Sequence, residues 1–137
     1  MPHDPSRKRT GLVAGIIGCA AILNACASTI PLPIDDAPYV GPAVRIEPGE
    51  RDHVAVFTMP TGGWGLKFDR VRERFDAQQV FVTLRRPAST EITSQAIVEQ
   101  SVDTRVRLKN SVEVYARIEE KGQPESGYRR VANAAHR

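Results

Sequence analysis

With 137 residues, 41% of them hydrophobic and 26% charged, the chain has room for one small domain with a modest core. Its two cysteines, Cys19 and Cys26, both lie near the N-terminus, which excludes a disulfide-stapled scaffold for the rest. The net charge of +3 is concentrated in Arg7, Lys8 and Arg9; beyond residue 25 the chain is nearly neutral, so there is no electrostatic case for nucleic acid as a partner.

After the basic cluster, Gly11 to Ala27 runs without a charge and ends in small residues, the pattern of an export signal. Three outcomes fit it. Leu23-Asn24-Ala25-Cys26 has the form of a lipobox, with Asn24 in place of the usual small residue, so that residues 1–25 would be removed and Cys26 acylated. Ala25-Cys26-Ala27 also fits cleavage to a soluble product. An uncleaved membrane helix is the third outcome, at about 17 residues short for a span. The lipoprotein reading is the expectation adopted, with Cys26 preferred to Cys19 because Cys19 leaves a very short apolar stretch before it. It implies a bacterial envelope location, at the outer membrane or facing the periplasm, with the membrane held through the lipid.

Residues 26–49 hold five of the ten prolines, Pro31, Pro33, Pro38, Pro42 and Pro48, and read as a semi-rigid tether able to lift a domain clear of a membrane. Ala43 to Ile46 reads as a first short strand where the tether meets a β domain spanning 50–131. In His53–Met59, Val54, Val56 and Thr58 alternate with Ala55, Phe57 and Met59, as in a central strand buried on both faces. Trp64, Leu66 and Phe68 share one face of the next strand; Val71 and Phe75 continue in opposite parity, which predicts a bulge near Asp69-Arg70. Gln79 to Arg85 places Val80, Val82 and Leu84 together, and Ala96 to Val102 is a less regular strand. Val106 and Leu108, the Asn110-Ser111 turn, and Val112, Val114, Ala116 and Ile118 read as a final hairpin, with Glu113 and Arg117 placed to pair across it. Residues 132–137 read as a disordered tail. No segment of the domain has a helical apolar period. The expected fold is all-β, an antiparallel immunoglobulin-like sandwich or barrel of six to seven strands, with Phe57, Trp64, Leu66, Phe68, Val80, Val82, Leu84, Val106, Val112, Val114 and Ile118 forming its core.

No nucleophile–base pair, metal-ligand spacing or cofactor motif is present, and beyond residue 25 the only histidines are His53 and the near-terminal His136. A non-enzyme without cofactor or metal is expected, with His53 a surface or hydrogen-bonded strand residue. The basic residues Arg70, Arg72, Arg74, Arg105, Arg107 and Lys109 recur at strand spacing. They read as solvated sheet faces balanced by Glu73, Glu99 and Glu113 rather than as a stripe for lipid headgroups or an acidic protein surface. The distinctive segment is Met59-Pro60-Thr61-Gly62-Gly63-Trp64-Gly65. Proline fixes φ and two glycines admit positive φ, so the segment is either a hairpin turn delivering Trp64 to the core or a loop presented to a partner.

The Thr61-Gly62-Gly63-Trp64 turn, entered from an apolar strand and followed by alternating strands and the Pro87 loop, resembles the protease-complex-stabilising PrcB C-terminal-like family, whose pattern reads T-G-G-Y. Trp64 replaces the tyrosine. The resemblance covers Val54 to Ile118 and implies a protein–protein role, holding or regulating a protease, with Pro60, Thr61, Gly62, Gly63 and Trp64 as the partner-binding residues. The loop is also similar to the N-P-T-T-G-Y loop of chagasin-type cysteine-protease inhibitors. Met59 stands for the asparagine there, Gly62 for the second threonine, and Arg86-Pro87-Ala88 lacks that family's tryptophan. The functional expectation is an anchored envelope lipoprotein whose domain binds a protein partner; the alternatives are a structural envelope lipoprotein or a chagasin-like inhibitor.

Overall fold

A computed structural model describes residues 32–120 and 127–135; the signal segment and Cys26 lie outside them. Seven strands and no helix are present among the described residues: β1 (Ala43–Pro48), β2 (Asp52–Met59), β3 (Gly65–Glu73), β4 (Gln78–Arg85), β5 (Val98–Arg107), β6 (Val112–Glu119) and β7 (Arg129–Ala134). They form a sandwich of a three-stranded sheet, β1-β2-β5, and a four-stranded sheet, β3-β4-β6-β7. All pairs are antiparallel except β4 with β6.

The alternation in β2 predicted its place, since a strand apolar on both sides is stable only between neighbours. It is the centre of its sheet, sending Ala55, Phe57 and Met59 inward. In β3 the register shifts between Phe68 and Arg70, where the change of parity placed the bulge. The shift returns Val71 to the inner side, so Phe68 and Val71 both pack on the core. Phe75 does not follow them. It lies fully exposed in the β3–β4 turn, past the last residue that the pleat can aim inward.

All eleven residues expected in the core either belong to the main buried cluster or pack directly against it. The final hairpin, by contrast, does not form. β5 pairs with β2 in the first sheet, and the chain then crosses to the second sheet, where β6 runs parallel to β4 with Val80 opposite Val114 and Val82 opposite Ala116. The physical reason lies on the outer side of β6, where Tyr115 is as buried as a core residue. With both faces apolar, β6 takes a central position between β4 and β7 and not the half-solvated edge of a hairpin. Glu113 and Arg117 therefore meet other partners. Glu113 accepts hydrogen bonds from Gln79 and Tyr115, while Arg117 Nε donates to Thr83 Oγ1 at 2.9 Å.

The crossing is prepared in β5. Between its pairings Val54↔Asp103 and Asp52↔Arg107 it holds two more residues than β2, and Arg105 takes a φ of 60°. Asp103 Oδ1 accepts from the Arg105 N–H at 2.7 Å, and the Thr104 hydroxyl donates to His53 O while accepting from the Val106 N–H. Side chain-to-backbone bonds thus hold a non-glycine residue in a left-handed conformation and aim Val106 into the core.

Both ends of the domain extend beyond the sequence-based bounds. β7 continues to Ala134, three residues into the expected tail, because Val131, Ala132 and Ala134 cover the core edge and β6 needs a partner there. From Leu32 onward, the expected tether is part of the folded unit. Asp35 N donates to Tyr128 O, Tyr128 N donates to Pro33 O, and Asp35 holds the Arg129 guanidinium at 2.8 Å. Tyr39 packs on the core and donates to Pro42 O. Proline removes N–H donors from this strap, so its prolines only accept, through the carbonyls of Pro33, Pro38 and Pro42, and the donors come from the residues between them and from Tyr128 and Arg129.

Candidate partner-binding site

The Pro60–Trp64 segment joins the ends of β2 and β3. Gly63 has a φ of +83°, and an added Cβ there would lie 2.6 Å from Thr93 Cγ2. Gly62 N donates to Ser94 O at 2.8 Å, and a Cβ at Gly62 would stand 3.2 Å from Ser94 Cβ. Both glycines are thus accounted for by a close approach between this turn and the β4–β5 connection. Trp64 is buried in the core, its carbonyl accepting from Gln100 Nε2 at 2.8 Å and its ring 5.5 Å beneath the Arg86 guanidinium. Arg86 in turn pairs with Glu120.

The five expected site residues therefore divide. Trp64 is structural, Gly62 and Gly63 lock two loops together, and Pro60 remains open to solvent, with Thr61 half-exposed. What the sequence did not reveal is the company they keep. A groove of about 360 Å³ is lined by Val40, Gly41, Pro42, Ala43, Thr58, Pro60, Trp64 and Arg86. Val40 is exposed at its rim, and Ile92 and Ile97 stand exposed on the connection that braces the turn. Polar neighbours disguise Ile92 as ordinary loop, Ile97 falls within the expected strand Ala96 to Val102, and Val40 lay within the supposed tether.

The chemistry available there is apolar contact, a backbone-rich turn and one guanidinium. At the opposite end, His53 is buried at the start of β2, with Nε2 3.0 Å from Asn110 O. Asp52 Oδ1 beside it is buried with no hydrogen bond, and Arg107 Nε is 3.5 Å away. Among the described residues, no three His, Cys, Asp or Glu side chains converge as a metal site would require.

The turn and the connection that braces it join β2 to β3 and β4 to β5. Residues 54–99 match the PrcB C-terminal family. The PrcB C-terminal match runs from Val54 in β2 to Glu99 in β5, so it contains both loops and leaves out the strap, β6 and β7. It bears out the resemblance seen in the Thr61-Gly62-Gly63-Trp64 turn. No curated protein and no solved structure matches the chain.

Proposed function

We propose that the chain is an envelope lipoprotein, acylated at Cys26, whose β domain is a protein-binding module that supports a protease complex and has no catalytic step of its own. The observation that carries the reading is the concentration of exposed Ile92, Ile97, Val40 and Pro60 around a braced turn, inside or beside the PrcB C-terminal match. Apolar side chains held out on rigid loops are a cost in solution and a gain at an interface, where the ordering entropy has already been met.

The alternative, a purely structural envelope lipoprotein, draws support from the glycines, whose conformations the packing against Thr93 and Ser94 explains without a partner. A photo-crosslinking residue placed at Ile92 or Ile97 separates the two. The binding reading expects a discrete adduct with one envelope protein, a protease or its subunit, and no adduct from the same residue placed at Lys109 at the other end. Val40→Glu with Ile92→Glu is expected to remove the adduct while leaving thermal melting within the range of ordinary surface changes. Equal adducts from both ends, or none from either, would leave the structural reading.

A further inference from the structure

The two outer faces of the sandwich differ in charge, and the strap leaves the domain on one of them. On the first sheet, Arg45 is bound by Glu47 and Glu99, Arg107 lies 3.5 Å from Asp52, and exposed Asp103 is matched by exposed Arg105, so the charges are close to balanced. On the second sheet, Arg70 is exposed opposite Phe81, Arg130 is exposed opposite Tyr115, and Arg74 is exposed at the β3–β4 turn beside Phe75. The acids between the strands of that face are engaged, whereas Glu73 and Asp76 are exposed beside Arg74 at the β3–β4 turn. Asp69 accepts from Thr83 and Tyr128 and lies 3.6 Å from Lys67; Glu113 accepts from Gln79 and Tyr115, with Arg130 3.5 Å away; Glu119 pairs with Arg117. The even balance expected from sequence spacing thus holds on the first face but not between the strands of the second. Leu32, the first described residue, packs on Phe81, Tyr115 and Tyr128 on this same basic face.

We propose that the outer face of the second sheet, with the Phe75 turn at its end, is the side of the domain that rests on an anionic phospholipid surface. The inference rests on the reading that the N-terminus is held in a membrane at Cys26. Only residues 26–31 then separate the anchor from Leu32, a reach of about 20 Å at full extension. A domain of this size is roughly 30 Å across, so the leash is shorter than the body it holds. The leash therefore keeps the domain within about 20 Å of the surface, and the face from which the chain emerges starts nearest to it. Exposed arginines are drawn to anionic headgroups, and an exposed aromatic at a turn suits the interface between headgroup and acyl chain.

The test uses the full chain as extracted from membranes, reconstituted into vesicles of phosphatidylglycerol with phosphatidylcholine, or of phosphatidylcholine alone. Arginine modification by phenylglyoxal is followed residue by residue. Arg70, Arg74 and Arg130 are expected to react roughly five-fold more slowly in the anionic vesicles, with Arg107 of β5 and Arg51 of the β1–β2 turn unchanged. High salt should erase the difference. Equal rates in the two vesicles, equal slowing of both groups, or slowing of Arg51 and Arg107 alone would overturn the proposal. Labelling with palmitate and its loss in Cys26→Ser report separately on the anchor. A chain that takes up no palmitate yet shows the selective slowing discards the lipoprotein reading and keeps the face.

Discussion

At Gly63 two separate costs fall on any side chain: the left-handed φ of +83° and the 2.6 Å approach to Thr93 Cγ2. Gly63→Ala is therefore expected to lower stability by about 2 kcal/mol, measured as a shift of the denaturant midpoint. Thr93→Ser in that background removes the colliding methyl but leaves the backbone strain and Pro87 Cβ at 3.2 Å, so recovery should be partial. Complete recovery would mean that φ costs nothing there, and no loss at all would mean that the turn does not take this conformation. Thr61-Gly62-Gly63 announced a special backbone in the sequence. What it could not announce was the reason, because Thr93 and Ser94 lie some thirty positions away across the β4–β5 connection. The same limit hid Val40, Ile92 and Ile97, whose significance depends on which loops the fold brings to one end.

Among the elements, the strands are legible where one side of the chain is apolar and the other polar, and misread where long-range pairing decides. The bulge at Phe68–Arg70 follows from a parity change within a single strand. The crossing from β5 to β6 does not, because alternation in Val112–Ile118 is the same for an edge of a hairpin and for a strand beside β4. The strap is the most instructive case, since its prolines suggested a spacer while its bonding residues, Asp35 and Tyr39, carry the docking. The Asp35 carboxyl is held below the usual carboxylate range, first by the Ala37 N–H and then by Arg129. Burial pushes the Tyr39 phenol above the usual tyrosine range. A depressed carboxyl means that the undocked form binds more protons in acid, so docking weakens as pH falls below about 4. A raised phenol means that the undocked form loses its proton first, so docking weakens again above about pH 10. Amide-exchange protection at Asp35 and Tyr128, corrected for intrinsic rates, should accordingly peak between these limits. Arg129→Gln should lower the protection throughout the plateau and blunt the acid limb while leaving the alkaline one. An unaltered acid limb in that variant would place the acid sensitivity elsewhere.

On the scale of the whole molecule, the second sheet is buried from both sides, with the main core beneath it and a smaller cluster of Phe81, Tyr115 and Tyr128 above, closed by Leu32. Phe81 stacks on Tyr115 with ring centroids 5.2 Å apart and meets Tyr128 edge-on at 5.1 Å, while Arg72 and Arg117 lie over the Phe81 and Tyr128 rings. Three phenylalanines, one in each buried cluster and one exposed, test whether these layers form one cooperative unit. Phe57, fully buried in the main core, should cost about 3–5 kcal/mol when replaced by alanine. Phe81 is equally buried on the opposite side of the second sheet, and its loss should cost a similar amount, because its partners are held by β6, β7 and the strap and cannot collapse into the gap. Phe75, fully exposed, should change stability by no more than about 0.5 kcal/mol. Against a total of about 5–15 kcal/mol for a domain, the first two changes remove a large share of the margin. Denaturant unfolding is followed in parallel by tryptophan fluorescence, which reports Trp64 in the main core, and, in a Tyr39→Phe background, by tyrosine near-ultraviolet dichroism, which then reports Tyr115 and Tyr128 of the outer cluster. Coincident transitions in Phe81→Ala, shifted together to lower denaturant, are the result expected of a single unit. A tyrosine transition that moves alone, with Trp64 unaffected, would show that the outer cluster and its strap are an accessory layer whose loss leaves the sandwich standing.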